Sequence, residues 1–158
     1  MKIISATIEH VDMVGYVHST AWKSTYQNIF SKEYLGTDTI DKRKEEFMAS
    51  LANDNIQYYL VSDNDNAIGI VKLMTEDNIC EVSSIYFLKE HRNKGYGTET
   101  INYLKKKYHD NRIVLWVLEN NVKARKFYKK NQFMETGETR VIYRGNEYMQ
   151  VKYELLEI

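Results

Sequence analysis

The residue types that could do chemistry are concentrated around one loop in the middle of the chain. Residues 92–97 read Arg-Asn-Lys-Gly-Tyr-Gly, between a strand-like apolar segment and a segment with helical spacing. Two glycines two positions apart allow backbone conformations that other residues avoid, so several N–H groups of such a turn can point at one place. The following helix adds free N–H groups and the positive end of its dipole. This pattern is typical of a phosphate-binding loop, and a plain tight turn is the alternative interpretation.

The charge distribution places this loop in a basic part of the chain. Residues 1–88 carry 7 basic and 13 acidic side chains, a net charge of −6, whereas residues 89–130 carry 12 and 4, a net charge of +8. The basic segment favours an anionic ligand, although solvated helix faces are the alternative. The net charge of the whole chain is zero, which argues against a general nucleic-acid-binding domain.

Three further segments accompany the loop. The strand before it ends Ser84-Ile85-Tyr86-Phe87, and the next strand runs into Glu119-Asn120-Asn121. The helix after that contains Ala124-Arg125-x-Phe127-Tyr128-x-Lys130. Together with Arg92-x-x-Gly95-x-Gly97, these segments span about residues 79–138. In order and spacing they resemble the GNAT superfamily of N-acetyltransferases.

The resemblance implies that acetyl-CoA is the donor and that a primary amine of a small molecule or peptide attacks it directly, without a metal. The loop would hold the CoA pyrophosphate, the strand edge would pair with the pantetheine arm, and Asn121 would hold a cofactor amide. A helix N-cap is an equally good interpretation of Asn121. The residues assigned to the donor are Ile85, Tyr86, Phe87, Arg92, Asn93, Lys94, Gly95, Tyr96, Gly97, Thr98 and Asn121.

Two residues are candidates for proton transfer. Tyr128 matches the tyrosine of the family that protonates the leaving thiolate; packing is the alternative for one of 13 tyrosines. Glu81 precedes Ile85 by four residues on the same strand, and the two-residue period of a strand predicts that both lie on one face. The resemblance implies that Glu81 deprotonates the acceptor through water, and a solvated glutamate is the alternative. Cys80 is predicted on the opposite face as a core residue.

The acceptor site is predicted on the first helices. The resemblance places Trp22, Tyr26 and Tyr34 there, with ordinary helix packing as the alternative. The acidic first half of the chain favours a cationic amine, because a cleft lined by one sign of charge concentrates ligands of the other sign. The carboxylates predicted to act in this way are Asp12, Glu33, Asp38 and Asp41. The alternative function is an acyl-CoA-binding sensor or interaction module without turnover, and the presence of Tyr128 and Asn121 favours an enzyme.

Hydrophobic periodicity predicts a mixed α+β fold in the order β-α-α-β-β-β-α-β-α-β-β. The resemblance implies a twisted, mostly antiparallel sheet of six to seven strands flanked by helices. Strands are predicted at 2–7, 56–61, 67–75, 79–88, 113–118 and 147–155, and the first helices at 9–29 and 39–51. Asn131 stands where the family usually has glycine, and it is predicted to end its helix in the left-handed conformation.

Length and composition set the remaining expectations. A chain of 158 residues is most simply one domain, spanning 1–158. Cys80 is the only cysteine, which excludes an intrachain disulfide and a multi-cysteine metal site. No segment approaches the roughly 18 apolar residues of a membrane span, and residues 1–10 lack the signal-peptide pattern. We therefore expect a cytoplasmic protein without a membrane partner, and the sequence leaves homodimer formation open.

Overall fold

The computed structural model of the protein describes residues 1–156. These residues form seven strands and five helices, and two 3₁₀ turns lie at Ile8–His10 and Lys89–His91. The strands are β1 (Lys2–Ser5), β2 (Ile56–Asp63), β3 (Asn66–Glu76), β4 (Ile79–Phe87), β5 (Arg112–Leu118), β6 (Phe133–Tyr143) and β7 (Glu147–Leu155). The helices are α1 (Val11–Tyr26), α2 (Lys32–Gly36), α3 (Ile40–Ser50), α4 (Tyr96–Lys107) and α5 (Val122–Lys130).

The seven strands form one sheet in the order β1-β2-β3-β4-β5-β7-β6. All neighbours are antiparallel except β4 and β5, which run parallel. This confirms the predicted α+β class and the mostly antiparallel sheet. The parallel pairing covers only Ile79–Glu81 of β4, and within the described residues 84–87 have no partner on β5. Beyond Glu81 of β4 and Val114 of β5 the two strands no longer pair with each other, so they diverge and leave a gap in the sheet.

Helices cover both faces of the sheet. On one face, Ile101 and Leu104 of α4 pack in a buried cluster that includes the strand residues Cys80, Val82 and Tyr153. The opposite face buries side chains of α1 and α3 against β2 and β3: Val14, Val17, Phe47, Leu60 and Ile70. Each such apolar side chain contributes about 1.5–3 kcal/mol relative to its exposed state. Among the residues described, no helix is both long and apolar enough to cross a bilayer.

The helix predicted over 9–29 is shorter in the structure, and a tight turn and a second helix follow it. Helix α1 ends at Tyr26, whose carbonyl accepts hydrogen bonds from the N–H groups of Ile29 and Phe30 in a tight turn. A separate helix, α2, then begins after Ser31, whose hydroxyl caps the Tyr34 N–H at 3.2 Å. Three helices therefore lie between β1 and β2 rather than the two predicted. The turn brings Phe30 back against α1 instead of continuing the helix.

The end of α5 also differs from the prediction. Asn131 has φ −95° and ψ 25°, so it is not left-handed, and its side-chain amide donates to the Phe127 carbonyl at 2.9 Å. The left-handed position falls one residue later, at Gln132, with φ 72°. Asn131 is therefore a buried cap that closes the helix through its side chain, and the chain reverses at Gln132.

Candidate active site

The loop before α4 has the backbone geometry that its glycines predict. Gly95 is left-handed, with φ 88°, and is the N-cap of α4. Asn93 is also left-handed, with φ 61°. From Asn93 to Thr98 no backbone N–H donates a hydrogen bond within residues 1–156, whereas the N–H groups of Arg92 and Glu99 do. The loop and the first turn of α4 therefore present a run of unused N–H donors, which is the arrangement that binds phosphate groups.

Gly97 has a different role from Gly95. A Cβ atom at Gly97 would lie 2.8 Å from the ring of Phe127 on α5, whereas a Cβ at Gly95 would meet nothing within 4 Å. Gly97 therefore allows α4 and α5 to approach each other, and Gly95 supplies the backbone conformation.

The charged and aromatic side chains of the loop do not all face outward. Arg92 turns toward α1: Nε donates to the Phe87 carbonyl at 3.0 Å, and Nη2 donates to the Ser24 and Thr25 hydroxyls at 2.8 and 2.9 Å. Burial lowers the pKa of Arg92. The guanidinium therefore holds the end of β4 to α1, and the assignment of Arg92 to the donor site stays a prediction. Lys94 is exposed and remains available.

Tyr96 is also fixed by a contact outside the loop. Its hydroxyl donates to a carboxylate oxygen of Asp63 on β2 at 2.6 Å. This hydrogen bond raises the pKa of Tyr96 and connects the start of α4 to the end of β2.

Helix α5 positions Asn121 and Tyr128. The Asn121 side chain accepts a hydrogen bond from the Ala124 N–H at 3.3 Å, which confirms the N-cap interpretation and leaves its cofactor role a prediction. Tyr128 is half-buried, with its ring 5.4 Å from Phe127 and 5.6 Å from Phe133. Its hydroxyl makes no hydrogen bond to any residue in 1–156. Burial raises the pKa of Tyr128, with Tyr86 adding to the effect, so the hydroxyl is protonated at neutral pH.

A cavity of about 550 Å³ lies on the sheet face opposite α4 and α5, and we call it the central cavity. It is lined by Ser84 and Tyr86 of β4 and by Trp116 and Leu118 of β5, so it opens onto the gap between these two strands. The predicted acceptor residues Trp22, Tyr26 and Tyr34 all line it.

These aromatic residues also pack against one another, which confirms the packing interpretation and leaves their acceptor role a prediction. The Trp22 ring lies 5.4 Å from Tyr26 and 5.7 Å from Phe30. The Tyr26 hydroxyl is 3.0 Å from the Tyr86 hydroxyl. Burial raises the pKa of Tyr26 and of Tyr86, so this pair is neutral and shares a hydrogen bond across the cavity wall.

Glu81 lines the central cavity, but it does not share a face with Ile85. A β-bulge between Leu73 and Lys72 of β3 leaves Ser83 of β4 unpaired. The bulge shifts the alternation of β4, so Glu81 and Tyr86 face the cavity while Ile85 packs toward the α4 side. The prediction that Glu81 and Ile85 share a face is therefore wrong. Cys80 lies in the core on the opposite face from Glu81, as predicted.

The charges around the central cavity differ from those expected. Of the four carboxylates predicted to surround the acceptor, only Asp38 lines the cavity; Asp12 instead pairs with Lys44 at 2.8 Å. The carboxylates that line the cavity are Asp38, Glu46 and Glu81. The cations that line it are Lys42, Arg43, Lys72, Arg140 and Arg144.

The β6–β7 hairpin forms one wall of the central cavity, a wall that the sequence does not predict. Tyr148 packs on Phe30 with 5.1 Å between ring centroids, and its hydroxyl donates to the Ile29 carbonyl at 3.2 Å. This contact brings the β6–β7 hairpin, with Arg140 and Arg144, over the first helices, which lie more than 100 residues earlier in the chain. The contact joins segments that are far apart in the chain, so no local sequence pattern reveals it.

Comparison with known proteins agrees with this geometry. The sequence is 26% identical over 141 residues to spermidine N(1)-acetyltransferase of Thermoplasma acidophilum, covering 84% of this chain and 88% of that protein. The fold matches the PaiA N-acetyltransferase of Thermoplasma acidophilum, solved in complex with coenzyme A, with a TM-score of 0.74 and 23% identity over 99% of this chain and 100% of that one. It also matches an acetyltransferase from Thermus thermophilus, with a TM-score of 0.75 and 14% identity over 98% of both chains.

The sequence model of one family matches most of the chain. It describes the acetyltransferase (GNAT) family and covers residues 14–133, which include most of α1, the strands β4 and β5, the loop at residues 92–97 and α5. The match extends well before the segment 79–138 that carries the sequence resemblance. The chain therefore belongs to the GNAT family of acetyltransferases and is an acetyl-CoA-dependent N-acetyltransferase.

Proposed function

We propose that this enzyme holds acetyl-CoA along the loop 92–97 and β4, and acetylates a primary amine that enters the central cavity. The observation that carries this proposal is the position of the cavity. It is lined by residues of both β4 and β5 at the point where these strands diverge. A donor lying in the gap and an acceptor lying in the cavity would therefore meet at the strand edge.

The donor side fits a CoA molecule. The unused N–H groups from Asn93 to Thr98 suit a pyrophosphate, and the exposed Lys94 adds a positive charge beside them. Residues 84–87 of β4 pair with β3 on one side only, so their other edge is available to the amides of a pantetheine arm. A preorganised N–H on this edge would stabilise the oxyanion that forms at the thioester carbonyl, an effect of about 2.7–4 kcal/mol in other oxyanion holes.

Tyr128 is suited to protonate the leaving thiolate. Its hydroxyl is protonated at neutral pH and has no hydrogen-bond partner within residues 1–156. A dry site also raises the pKa of a thiol, as burial does for Cys80, whose pKa rises to about 11. A thiolate formed beside Tyr128 would therefore take up a proton more readily than one in water.

Glu81 is suited to remove the proton from the acceptor ammonium. It lies in the central cavity, and among residues 1–156 it makes no ion pair with a lysine or arginine. Because an amine with a pKa near 10 must be deprotonated before it attacks, a carboxylate at the cavity wall can act through one water.

Two acceptor classes have support. The spermidine N(1)-acetyltransferase that is 26% identical supports a polyamine, and the carboxylates Glu46 and Glu81 could bind its ammonium groups. The five cationic side chains of the cavity favour an amine that also carries an anionic group. Both classes present a primary ammonium, so the chemistry at the thioester is the same for each.

The proposed reaction is tested by measuring free CoA thiol with acetyl-CoA and a panel of primary amines. We expect steady CoA release with at least one amine, and mass spectrometry should show the acetylated amine. Tight binding of acetyl-CoA without CoA release for any amine would contradict the proposal and support the alternative, a sensor or interaction module.

A further inference from the structure

The β6–β7 hairpin presents two arginines to the central cavity. Arg140, Ile142 and Arg144 alternate along the hairpin, so they lie on one face, and all three line the cavity. Within residues 1–156 neither arginine forms a salt bridge with a carboxylate. Their hydrogen bonds go to neutral groups, the Gln150 side chain and the Tyr143 carbonyl.

Arg140 is held in a fixed position. Its guanidinium lies over the Trp116 ring at 4.3 Å, and Nε donates to Gln150 Oε1 at 2.7 Å. Stacking and one hydrogen bond fix the plane of the guanidinium while leaving its terminal N–H donors for another partner. Burial lowers the pKa of Arg140, and Arg144 adds to this effect, so the two positive charges lie close enough to repel each other.

Arg144 is placed by the turn of the hairpin. The next residue, Gly145, is left-handed with φ 73° and packs so closely on α2 that a Cβ there would lie 2.9 Å from Tyr34. Burial raises the pKa of the Tyr26 and Tyr86 hydroxyls, and the charge of Arg144 opposes that rise in both. The Arg144 guanidinium therefore acts on the tyrosine pair in the cavity wall.

Most of the other charges of the cavity compensate one another; Lys42 does not, because its ammonium donates to the Thr37 carbonyl at 3.1 Å. Arg43 binds Asp38 at 2.7 Å, and Glu46 lies 3.3 Å from Arg43 and 3.6 Å from Lys72. Glu81 is the remaining carboxylate, and it lies close enough to oppose the lowering of the Arg140 pKa that burial causes. Among the described residues the hairpin thus brings two cations to a partly enclosed site that holds one unpaired carboxylate. Such a balance favours an incoming anionic group.

We propose that Arg140 and Arg144 bind a carboxylate of the acceptor, so that the enzyme acetylates zwitterionic amines such as amino acids. The ammonium group of the acceptor lies toward Glu81 and the strand gap, and its carboxylate lies against the hairpin. The planar guanidinium matches a carboxylate with two parallel hydrogen bonds, which a neutral amide cannot reproduce. This inference rests on the proposed function, because it names the acceptor of the same reaction.

The test compares each acceptor with its uncharged analogue. CoA release is measured with ω-amino acids of two to six carbons, with their primary amides and with spermidine. We expect the best carboxylate to exceed its own amide in kcat/KM by about tenfold or more, as expected for charge-assisted hydrogen bonds. In Arg140→Gln and Arg144→Gln the ratio of kcat/KM for the carboxylate to kcat/KM for its amide should fall toward one. Arg144→Lys should keep more of the ratio than Arg144→Gln because it keeps the charge.

The control variant is Lys2→Gln, which removes one positive charge from β1 at the opposite edge of the sheet and should leave the ratio unchanged. Circular dichroism checks that each variant is folded. The inference is overturned if spermidine is acetylated and no carboxylate exceeds its amide, or if the ratio survives both arginine-to-glutamine changes. Absence of CoA release with every amine would overturn the proposed function and this inference together.

Discussion

Gly97 and Phe127 are in direct contact between the helix that follows the glycine loop and the helix that carries Tyr128. The contact is so close that even one methyl group on Gly97 would lie 2.8 Å from the ring. The loop at residues 92–97, where we propose that acetyl-CoA binds, and the proposed general acid Tyr128 are therefore held at a fixed separation by a glycine and an aromatic ring.

Gly97→Ala should consequently destabilise the protein, although alanine normally favours a helix over glycine by about 0.5–1 kcal/mol. The added methyl group overpacks the contact with Phe127, and overpacking typically costs about 1–3 kcal/mol. Urea denaturation should show a lower midpoint than wild type. Gly36→Ala is the matched control, because a Cβ at Gly36 meets nothing within 4 Å. Equal stability of the two variants would contradict the prediction.

Gly95→Val should weaken acetyl-CoA binding at least tenfold, or about 1.4 kcal/mol. The site has open space, but its φ of 88° is strained for any residue with a side chain, so the loop must change conformation. Isothermal titration calorimetry measures the affinity, and circular dichroism checks the fold. Unchanged affinity in a folded variant would remove the loop from the donor site.

Tyr128→Phe should lower kcat by about 10²–10⁴-fold while acetyl-CoA affinity stays near that of wild type. The hydroxyl makes no hydrogen bond within residues 1–156, so its removal leaves the packing against Phe127 and Phe133 in place. Steady-state kinetics and calorimetry on the same preparation separate the two effects. A variant with the kcat of wild type would leave Tyr128 only a packing role.

Glu81→Gln should shift the pH–rate profile between pH 6 and 9 rather than abolish activity. Water can still carry the proton of the acceptor to solvent, but without a carboxylate the rate should depend more steeply on hydroxide at high pH. The measurement is kcat/KM against pH for one amine. Identical profiles for variant and wild type would show that Glu81 is not the base.

His18 makes the folded protein sensitive to acid. It is buried, and neither ring nitrogen has a hydrogen-bond partner in residues 1–156. Burial, with smaller effects from Arg43 and Lys72, holds the pKa of His18 well below 6.5. The unfolded chain thus binds a proton near pH 6.5 that the folded chain does not, so stability is lost as the pH falls. We expect a loss of about 1 kcal/mol between pH 7.5 and pH 5.5 from this residue.

Urea denaturation at these two pH values tests this expectation. His18→Phe should remove most of the loss, whereas His109→Gln, a change at an exposed histidine, should not. For each variant we compare the free energy of unfolding at pH 7.5 with that at pH 5.5. An effect of the Phe side chain that is the same at both pH values therefore cancels. The same loss in wild type and His18→Phe would contradict the assignment.

The parts of the fold that sequence predicts are those set by local patterns. The strands at 56–63 and 66–76 follow from alternating or continuous apolar residues on either side of a polar turn, and the prediction for the last strand has the observed bounds, Glu147–Leu155. The glycine loop is equally local, because left-handed backbone at Gly95 depends on the residue type itself.

The parts that sequence does not predict depend on contacts between distant segments. The bulge at Ser83 comes from the register of β4 on β3, and it moves Ile85 away from the face of Glu81. Arg92 has the sequence context of an anion ligand, yet its partners are Ser24 and Thr25, nearly 70 residues earlier. The arginines of the hairpin reach the cavity because the hairpin packs on the first helices, as at Tyr148.

The divergence of β4 and β5 affects how this enzyme could evolve. The groups that it exposes at the proposed donor site belong to the main chain, which every sequence shares, so most point mutations cannot remove them. The cavity on the other side of the gap is made of side chains such as Trp22, Arg140 and Arg144, and each of these can change independently. The fold thus separates a proposed donor site built from the main chain from a proposed acceptor site built from side chains, so a new acceptor can be gained without rebuilding the donor site.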